Sequence, residues 1–252
     1  KYKKDKYEVI TFANSFHGRT LATLTATAQK KIQEGYDPLP EGFKYAEFNN
    51  MESVKKVFNE KTSAILLEVI QGEGGVNIAD EKFVKELYAF CKEKDILFMV
   101  DEIQTGMGRT GKFFCYEHYK IKPDVITLAK ALGAGLPLGA IIVNEKLKDV
   151  FTYGSHGSTF GGNLLACSGA FAGINIIDKN RLEYINNIGG YFKEELLKLK
   201  KKYPTIKDVR GKGLIIGVEF DCDITDIVNK GLEQGFVINV VQGNVLRFLP
   251  SY

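Results

Sequence analysis

The sequence is poor in the residues that build metal centres and covalent cross-links. Its four cysteines (Cys91, Cys115, Cys167, Cys222) lie far apart and form no CxxC pair. That excludes a disulfide scaffold or a zinc ribbon and fits a reducing compartment. The three histidines, His17, His118 and His156, share no ligand spacing, and no HExxH occurs, so no metal site is expected. An excess of one charge is missing too. The 34 Lys+Arg against 31 Asp+Glu leave +3, too balanced for nucleic-acid binding by electrostatics. The lysine-rich start, Lys1 to Lys6, reads as a solvated edge. No membrane-length hydrophobic run is present, because the most apolar stretch, Val125 to Val143, is broken by Lys130 and Pro137. No signal-peptide pattern opens the sequence, so a cytoplasmic protein is expected. The sequence begins at Lys1 without an initiator methionine, as a fragment or processed product would.

What is present suits a globular protein. In 252 residues, 44% are hydrophobic and 26% charged, enough for one large domain or a large and a small one. Apolar runs of strand length stand at Val9 to Phe12, Ala64 to Val69, Ile96 to Val100, Val125 to Ala129 and Gly139 to Val143. Helical spacing appears at Met51 to Phe58 and at Lys82 to Lys94, where Phe83, Leu87 and Phe90 recur on one side. Apolar strands alternating with amphipathic helices predict an α/β fold with a mostly parallel sheet covered on both faces. Leu164 to Ile177 reads as a buried small-residue helix, and Arg181 to Tyr203 as a lysine-rich amphipathic one. Leu214 to Phe220 and Val237 to Val241 read as strands around a helix near Ile224 to Gln234. The alternation changes near residue 178, which predicts a large domain over 1–178 and a smaller α+β domain over 179–252.

Ligands of open α/β sheets sit at the carboxyl ends of strands. Glu68, Asp101 and Lys130 all stand at such ends. Lys130 lies between Thr127-Leu128-Ala129 and Ala131-Leu132-Gly133, so a desolvated, nucleophilic amine able to form a Schiff base is expected. Asp101 suits the acid that faces a pyridinium nitrogen. Gly106-Met107-Gly108-Arg109-Thr110-Gly111 matches GxGxxG, and Lys112 extends it to GxxxxGK. The context argues against a nucleotide. No long helix starts at the glycines, Phe113 stands where Ser/Thr would hold magnesium, and Asp101 and Glu102 precede the loop. A tight active-site loop is the better reading.

Asp101-Glu102-Ile103-Gln104-Thr105-Gly106 followed by Thr127-Leu128-Ala129-Lys130, with Lys130 29 positions after Asp101, resembles the signature of class III pyridoxal-phosphate aminotransferases. Asn14 to Thr25, Gln71 to Val76 and His156 to Asn163 extend the resemblance over nearly the whole chain. It implies the fold type I of pyridoxal-phosphate-dependent transferases, in a chain lacking the family's first third and last short segment. The family's upstream Ser/Gly-Thr phosphate loop has no counterpart between Lys1 and Ile10. The resemblance also implies roles. Lys130 would hold pyridoxal 5'-phosphate and move the proton, and Asp101 would pair with the ring nitrogen. Gln104 would bond the ring hydroxyl, with Phe16 stacked on one ring face and Ile103 on the other. Ser158 and Thr159 would reach the cofactor phosphate of a neighbouring subunit, giving a homodimer with shared sites.

Arg19 would take the donor's α-carboxylate and Arg247 the oxo-acid carboxylate, with Glu73 neutralising Arg247 in turn. Two guanidinium forks suit two carboxylates, and arginine is scarce here, five against 29 lysines. For Arg109, Arg181 and Arg210 an ion-pair or capping role is the plainer reading. The implied reaction moves the side-chain amino group of N-acetylornithine to 2-oxoglutarate, in arginine biosynthesis. Ornithine, succinylornithine or 4-aminobutyrate as donor, and a non-catalytic fragment of such an enzyme, are the alternatives.

Overall fold

The computed structural model describes Lys3 and residues 5–252; Lys1, Tyr2 and Lys4, part of the expected solvated edge, lie outside the described residues. The chain runs through β1 (Glu8–Phe12), α1 (Leu21–Ala26), α2 (Lys30–Gln33), β2 (Phe43–Ala46), α3 (Met51–Val57) and β3 (Thr62–Leu67). A small hairpin, β4 (Ile70–Gln71) and β5 (Asn77–Ile78), precedes α4 (Glu81–Glu93), β6 (Leu97–Asp101), β7 (Val125–Leu128) and β8 (Ala140–Val143). Then come α5 (Leu164–Ile176), α6 (Lys179–Lys202), β9 (Ile206–Lys212), β10 (Ile215–Phe220), α7 (Ile227–Glu233), β11 (Asn239–Val241) and β12 (Val245–Phe248).

The main sheet has the order β2-β1-β3-β6-β7-β8. It is parallel from β2 to β7, and β8 closes it antiparallel to β7. Successive strand residues face opposite sides, and the two sides fare differently. Ile10, Phe12, Ile65, Leu67, Phe98 and Val100 form one buried core with Val54 of α3 and Phe83, Val84 and Leu87 of α4. The opposite face, with Val9, Leu66, Met99, Val125 and Val143, lines an apolar groove of about 490 Å³. Leu147 and Val150 cover only part of it. The expected double cover is therefore met on one face. Among the described residues no α-helix covers the groove face, since both crossover helices α3 and α4 lie opposite.

A second, antiparallel sheet has the order β11-β12-β10-β9. Leu196 and Phe192 of α6 pack on it, against Val209, Ile216, Val218 and Leu246. Asp178 caps α6 by accepting from Arg181 N–H, and Lys200, Lys201 and Lys202 suit its carboxyl end. The small-residue helix α5 departs from expectation. Ala166 and Ala170 are buried, but Leu164, Leu165 and Phe171 are 86%, 71% and 71% exposed. Its glycines, Gly169 and Gly173, admit close contact with Gly133, Ala134 and Leu136 on one side only. Asn163 caps it, accepting from Ala166 N–H.

The glycine motif between Asp101 and Cys115 is a joint. At Gly111, with φ +80°, a Cβ would collide with Asn186 of α6, whose amide donates to Gly111 O at 2.9 Å. Arg109 N–H and C=O are both engaged, the carbonyl by Leu214 N–H at 2.9 Å. The Arg109 guanidinium bonds the carbonyls of Leu214 and Pro250 and stacks over Tyr252 at 4.3 Å. Gly108 and Gly111 spend their amides on Phe113 O and Gly108 O. The amides of Gly106, Gly108, Arg109 and Gly111 all donate to backbone carbonyls, and the next α-helix after the loop begins only at Leu164, so the nucleotide reading lacks the helix start that its geometry needs. The glycines themselves serve packing against α6 and the second sheet.

Candidate active site

β3, β6 and β7 are adjacent and parallel, so their carboxyl ends open on one place. A cavity of about 90 Å³ there is lined by Phe16, His17, Gly18, Glu68, Asp101, Ile103, Gln104 and Lys130. Six of these eight positions were singled out in the sequence. Asp101 ends β6 and is 6% exposed. Its Oδ1 accepts from Ile103 N–H at 3.0 Å, and its Oδ2 lies 2.8 Å from His17 Nδ1. His17 Nε2 is buried and has no partner.

His17 was read only against metal-ligand spacing, and that hid its part here. Its neighbours Phe16 and Arg19 were the available signal. Glu68 follows β3, is buried, and accepts from Phe16 N–H at 2.8 Å. Burial pushes its carboxyl well above the usual range, and the nearby Asp101 charge adds to this, while Phe16 N–H and Lys130 oppose it.

Lys130 corrects an expectation. Its residue is exposed rather than desolvated; the buried neighbours are Leu132 and Gly133. It stands two residues past β7, at φ +46°, a left-handed conformation that is uncommon outside glycine. The turn takes the backbone out of the sheet, so the apolar flanks pack while the lysine lines the cavity. Left-handed non-glycine residues held by their surroundings cluster at functional sites.

Beside this cavity lies a second charge pair. Arg247 of β12 is 9% exposed and donates from Nη1 to Glu73 Oε1 at 2.8 Å and to Gln104 Oε1 at 3.2 Å. Its Nε and Nη2 both donate to Asn239 Oδ1, at 3.1 and 2.8 Å. Gln104 completes the triangle, donating to Glu73 at 3.2 Å. Burial pushes Glu73 up, but the hydrogen bond and charge of Arg247 outweigh it, and its carboxyl titrates below the usual range. A Cβ on Gly72 would collide with the Gln104 amide, so only glycine leaves that amide its place.

Arg19 is exposed, with its guanidinium 5.5 Å from the centre of the Phe16 ring. It lines a larger cleft of about 580 Å³ together with Phe16, Lys31, Glu73, Asn239 and Gln242. Phe16 and Glu73 thus border both the small cavity or its partner pair and the open cleft. Ser158 and Thr159 are not brought into this group; they lie on an exposed loop before α5. Among the described residues no cluster of His, Cys, Asp and Glu is arranged to hold a metal ion. Among them, too, no helix is long and apolar enough to cross a membrane.

A strand-end carboxylate and a lysine thus line one cavity, and a guanidinium–carboxylate pair lies beside it. The Aminotransferase class-III family profile matches residues 1–252, and the chain belongs to that family. The acetylornithine aminotransferase of Aquifex aeolicus is 50% identical over 247 residues, covering 98% of this chain and 64% of the relative. That of Methanocaldococcus jannaschii is 49% identical over 244 residues, covering 96% and 61%. An ornithine aminotransferase structure from Toxoplasma gondii, described with partial occupancy of PLP at its active site, superposes with a TM-score of 0.92. It is 33% identical and covers 98% of this chain and 60% of that one. The fold is thus the pyridoxal-phosphate-dependent transferase fold type I. The chain spans less than two thirds of the length of these relatives.

Proposed function

We propose that this chain carries the site of a pyridoxal-phosphate-dependent aminotransferase that moves the side-chain amino group of N-acetylornithine to 2-oxoglutarate in arginine biosynthesis. The observation that carries the reading is the single cavity shared by Asp101, Lys130, Gln104 and Phe16 at the ends of β3, β6 and β7. The named relatives support the donor.

The residues fit the cofactor. A buried carboxylate fixed from both sides, a lysine amine, an aromatic wall and an unpartnered buried His17 Nε2 suit a flat, cationic heteroaromatic aldehyde. Asp101 would hold its ring nitrogen protonated, with His17 fixing the carboxylate's orientation. Gln104 would bond the ring hydroxyl, and Phe16 and Ile103 would pack on the ring. When bound, the cofactor supplies the carbon that carries the amino group and the electron sink for the substrate carbanion.

The chain's own groups do the rest. Lys130 Nζ would anchor the cofactor and then, once released, move the proton at the carbon beside nitrogen. Arg19 would bind the donor's α-carboxylate from the open cleft. Arg247 would bind the carboxylate of 2-oxoglutarate after Glu73 lets go, and Glu73 would neutralise it when the donor enters.

We also read residues 1–178 as the large domain and 179–252 as the small one. The exposed apolar side of α5, and Ser158 and Thr159 lying outside the cavity, support a homodimer in which each copy completes the other's phosphate subsite. Four unpaired cysteines fit a cytoplasmic setting. The test is Lys130→Ala. It is expected to abolish both transfer and the borohydride-reducible lysine–cofactor linkage seen by mass spectrometry; a reducible linkage that persists at another lysine would sink the assignment. Rates on acetylornithine, ornithine, succinylornithine and 4-aminobutyrate separate the donors.

A further inference from the structure

The turn that carries Glu73 is tied at four successive carbonyls, each to a side chain. Gln242 donates to Glu73 O at 2.9 Å and Asn77 to Gly74 O at 2.8 Å. Arg210 donates to Gly75 O from Nη2 at 2.6 Å and from Nε at 3.1 Å, and from Nε to Val76 O at 3.2 Å. Arg210 lies on β9, and Gln242 lies in the turn between β11 and β12. Two of the three donors therefore belong to the sheet that presents Arg247.

The guanidinium is also held from behind, where Nη1 donates to Glu219 at 2.5 Å and to Asp208 at 3.1 Å. Those two carboxylates would satisfy an ordinary ion pair. They do not explain why the other edge of the fork spans two backbone carbonyls. Val76 supplies a reason. It sits at φ +56°, a left-handed conformation that a β-branched residue adopts only when its surroundings hold it there. On β10, a Cβ at Gly217 would come within 2.9 Å of Val76 Cβ, so the second sheet also presses on this residue from its side-chain face.

We propose that Arg210 is a positioning residue for Glu73, fastening the Glu73–Val76 turn to the same sheet that carries Arg247. Glu73 and Arg247 then share one frame of reference. The pair opens by rotation of the Glu73 side chain, while the turn stays in place. This rests on the reading of Glu73 and Arg247 as the oxo-acid gate.

Arg210→Lys is the informative variant. It keeps a cation beside Asp208 and Glu219 but loses the planar fork across two carbonyls. In the protein loaded with pyridoxal phosphate it is expected to raise the oxo-acid KM about tenfold and the amino-donor KM less than about twofold. Without cofactor, hydrogen exchange at the amides of Gly74, Gly75 and Val76 is expected to quicken while α4 and β3 stay protected. Arg247→Ala serves as the control. If it leaves the oxo-acid KM unchanged, the gate reading falls and this proposal falls with it. If Arg247→Ala raises that KM but Arg210→Lys does not, Arg210 is a partner of Asp208 and Glu219 alone, whatever the exchange rates show.

Discussion

The site holds two acid–base pairs at the same separation, His17–Asp101 and Glu73–Arg247, each 2.8 Å apart. Their settings differ. The side chains of the first are 2% and 6% exposed, whereas Glu73 in the second is 32% exposed over a buried Arg247. Removing a partner from a fully buried pair strands a charge with no solvent to replace it. A carboxylate at the surface can leave its partner and be met by water, at little net cost. The first pair is therefore permanent furniture of the strand ends. The second is the one proposed to exchange, and Asn239 and Gln104 already bond the arginine alongside its carboxylate.

The comparison can be broken most forcibly at Asp101. Asp101→Ala is expected to lower the unfolding free energy by about 3–5 kcal/mol, measured by urea denaturation, because it strands His17 and the Ile103 amide. A loss below about 1 kcal/mol would put this pair in the same exchangeable class as the other.

Next comes the buried neighbour Glu102. Its oxygens accept from Thr105 Oγ1 at 2.6 Å and Tyr116 N–H at 2.8 Å, and burial raises its pKa from 4.5 to about 7. The folded state thus binds this proton more tightly than the unfolded chain. Stability from this group is full below about pH 4.5 and is lost as pH rises to about 7, by roughly 3 kcal/mol in all. Denaturation at pH 5 and pH 8 reads the difference, and Glu102→Gln is expected to flatten it.

Gly111→Ala probes how firmly α6 is seated. Positive φ and the Asn186 collision together predict a loss of about 1–3 kcal/mol, read as a lower Tm. The smallest effect is expected at the exchangeable pair itself. Glu73→Gln removes a charged competitor for Arg247, so the oxo-acid KM should fall by a few-fold, near 1 kcal/mol, with stability almost unchanged.

Much of this was legible in the chain. Glu68, Asp101 and Lys130 showed themselves because a polar residue at the end of an apolar strand is conspicuous, and parallel neighbours bring such ends together. Phe16, Gln104, Glu73 and Arg247 came through resemblance, and the structure gathers them around the same place. Strands β2, β9 and β12 were not foreseen. β2 is short and mostly exposed, with Lys44 and Tyr45 outward, and β9 alternates with Lys207, Asp208 and Arg210. Such strands exist by pairing with neighbours, which local pattern does not report.

His17 was missed because its partner is 84 residues away. Lys130 was expected to be buried because its sequence neighbours are apolar, yet the left-handed turn separates it from them. Arg210 was read as an ion-pair or capping residue, and its ion pairs are half of what it does; the carbonyls it holds belong to a turn 135 residues earlier.

The glycine-rich joint bears on how this protein could be recombined. Gly111 is matched to Asn186, and the Arg109–Thr110 backbone to Gly213, where an added Cβ would lie 2.6 to 2.8 Å from it. These three sites are one mechanical part scattered over a hundred residues of chain. A chimera that takes residues 179–252 from a relative imports the far half of that part and keeps the near half. Swaps that carry residues 106–111 along with the carboxyl-terminal segment preserve the fit, so the natural seam lies just ahead of the loop that looks like a nucleotide motif.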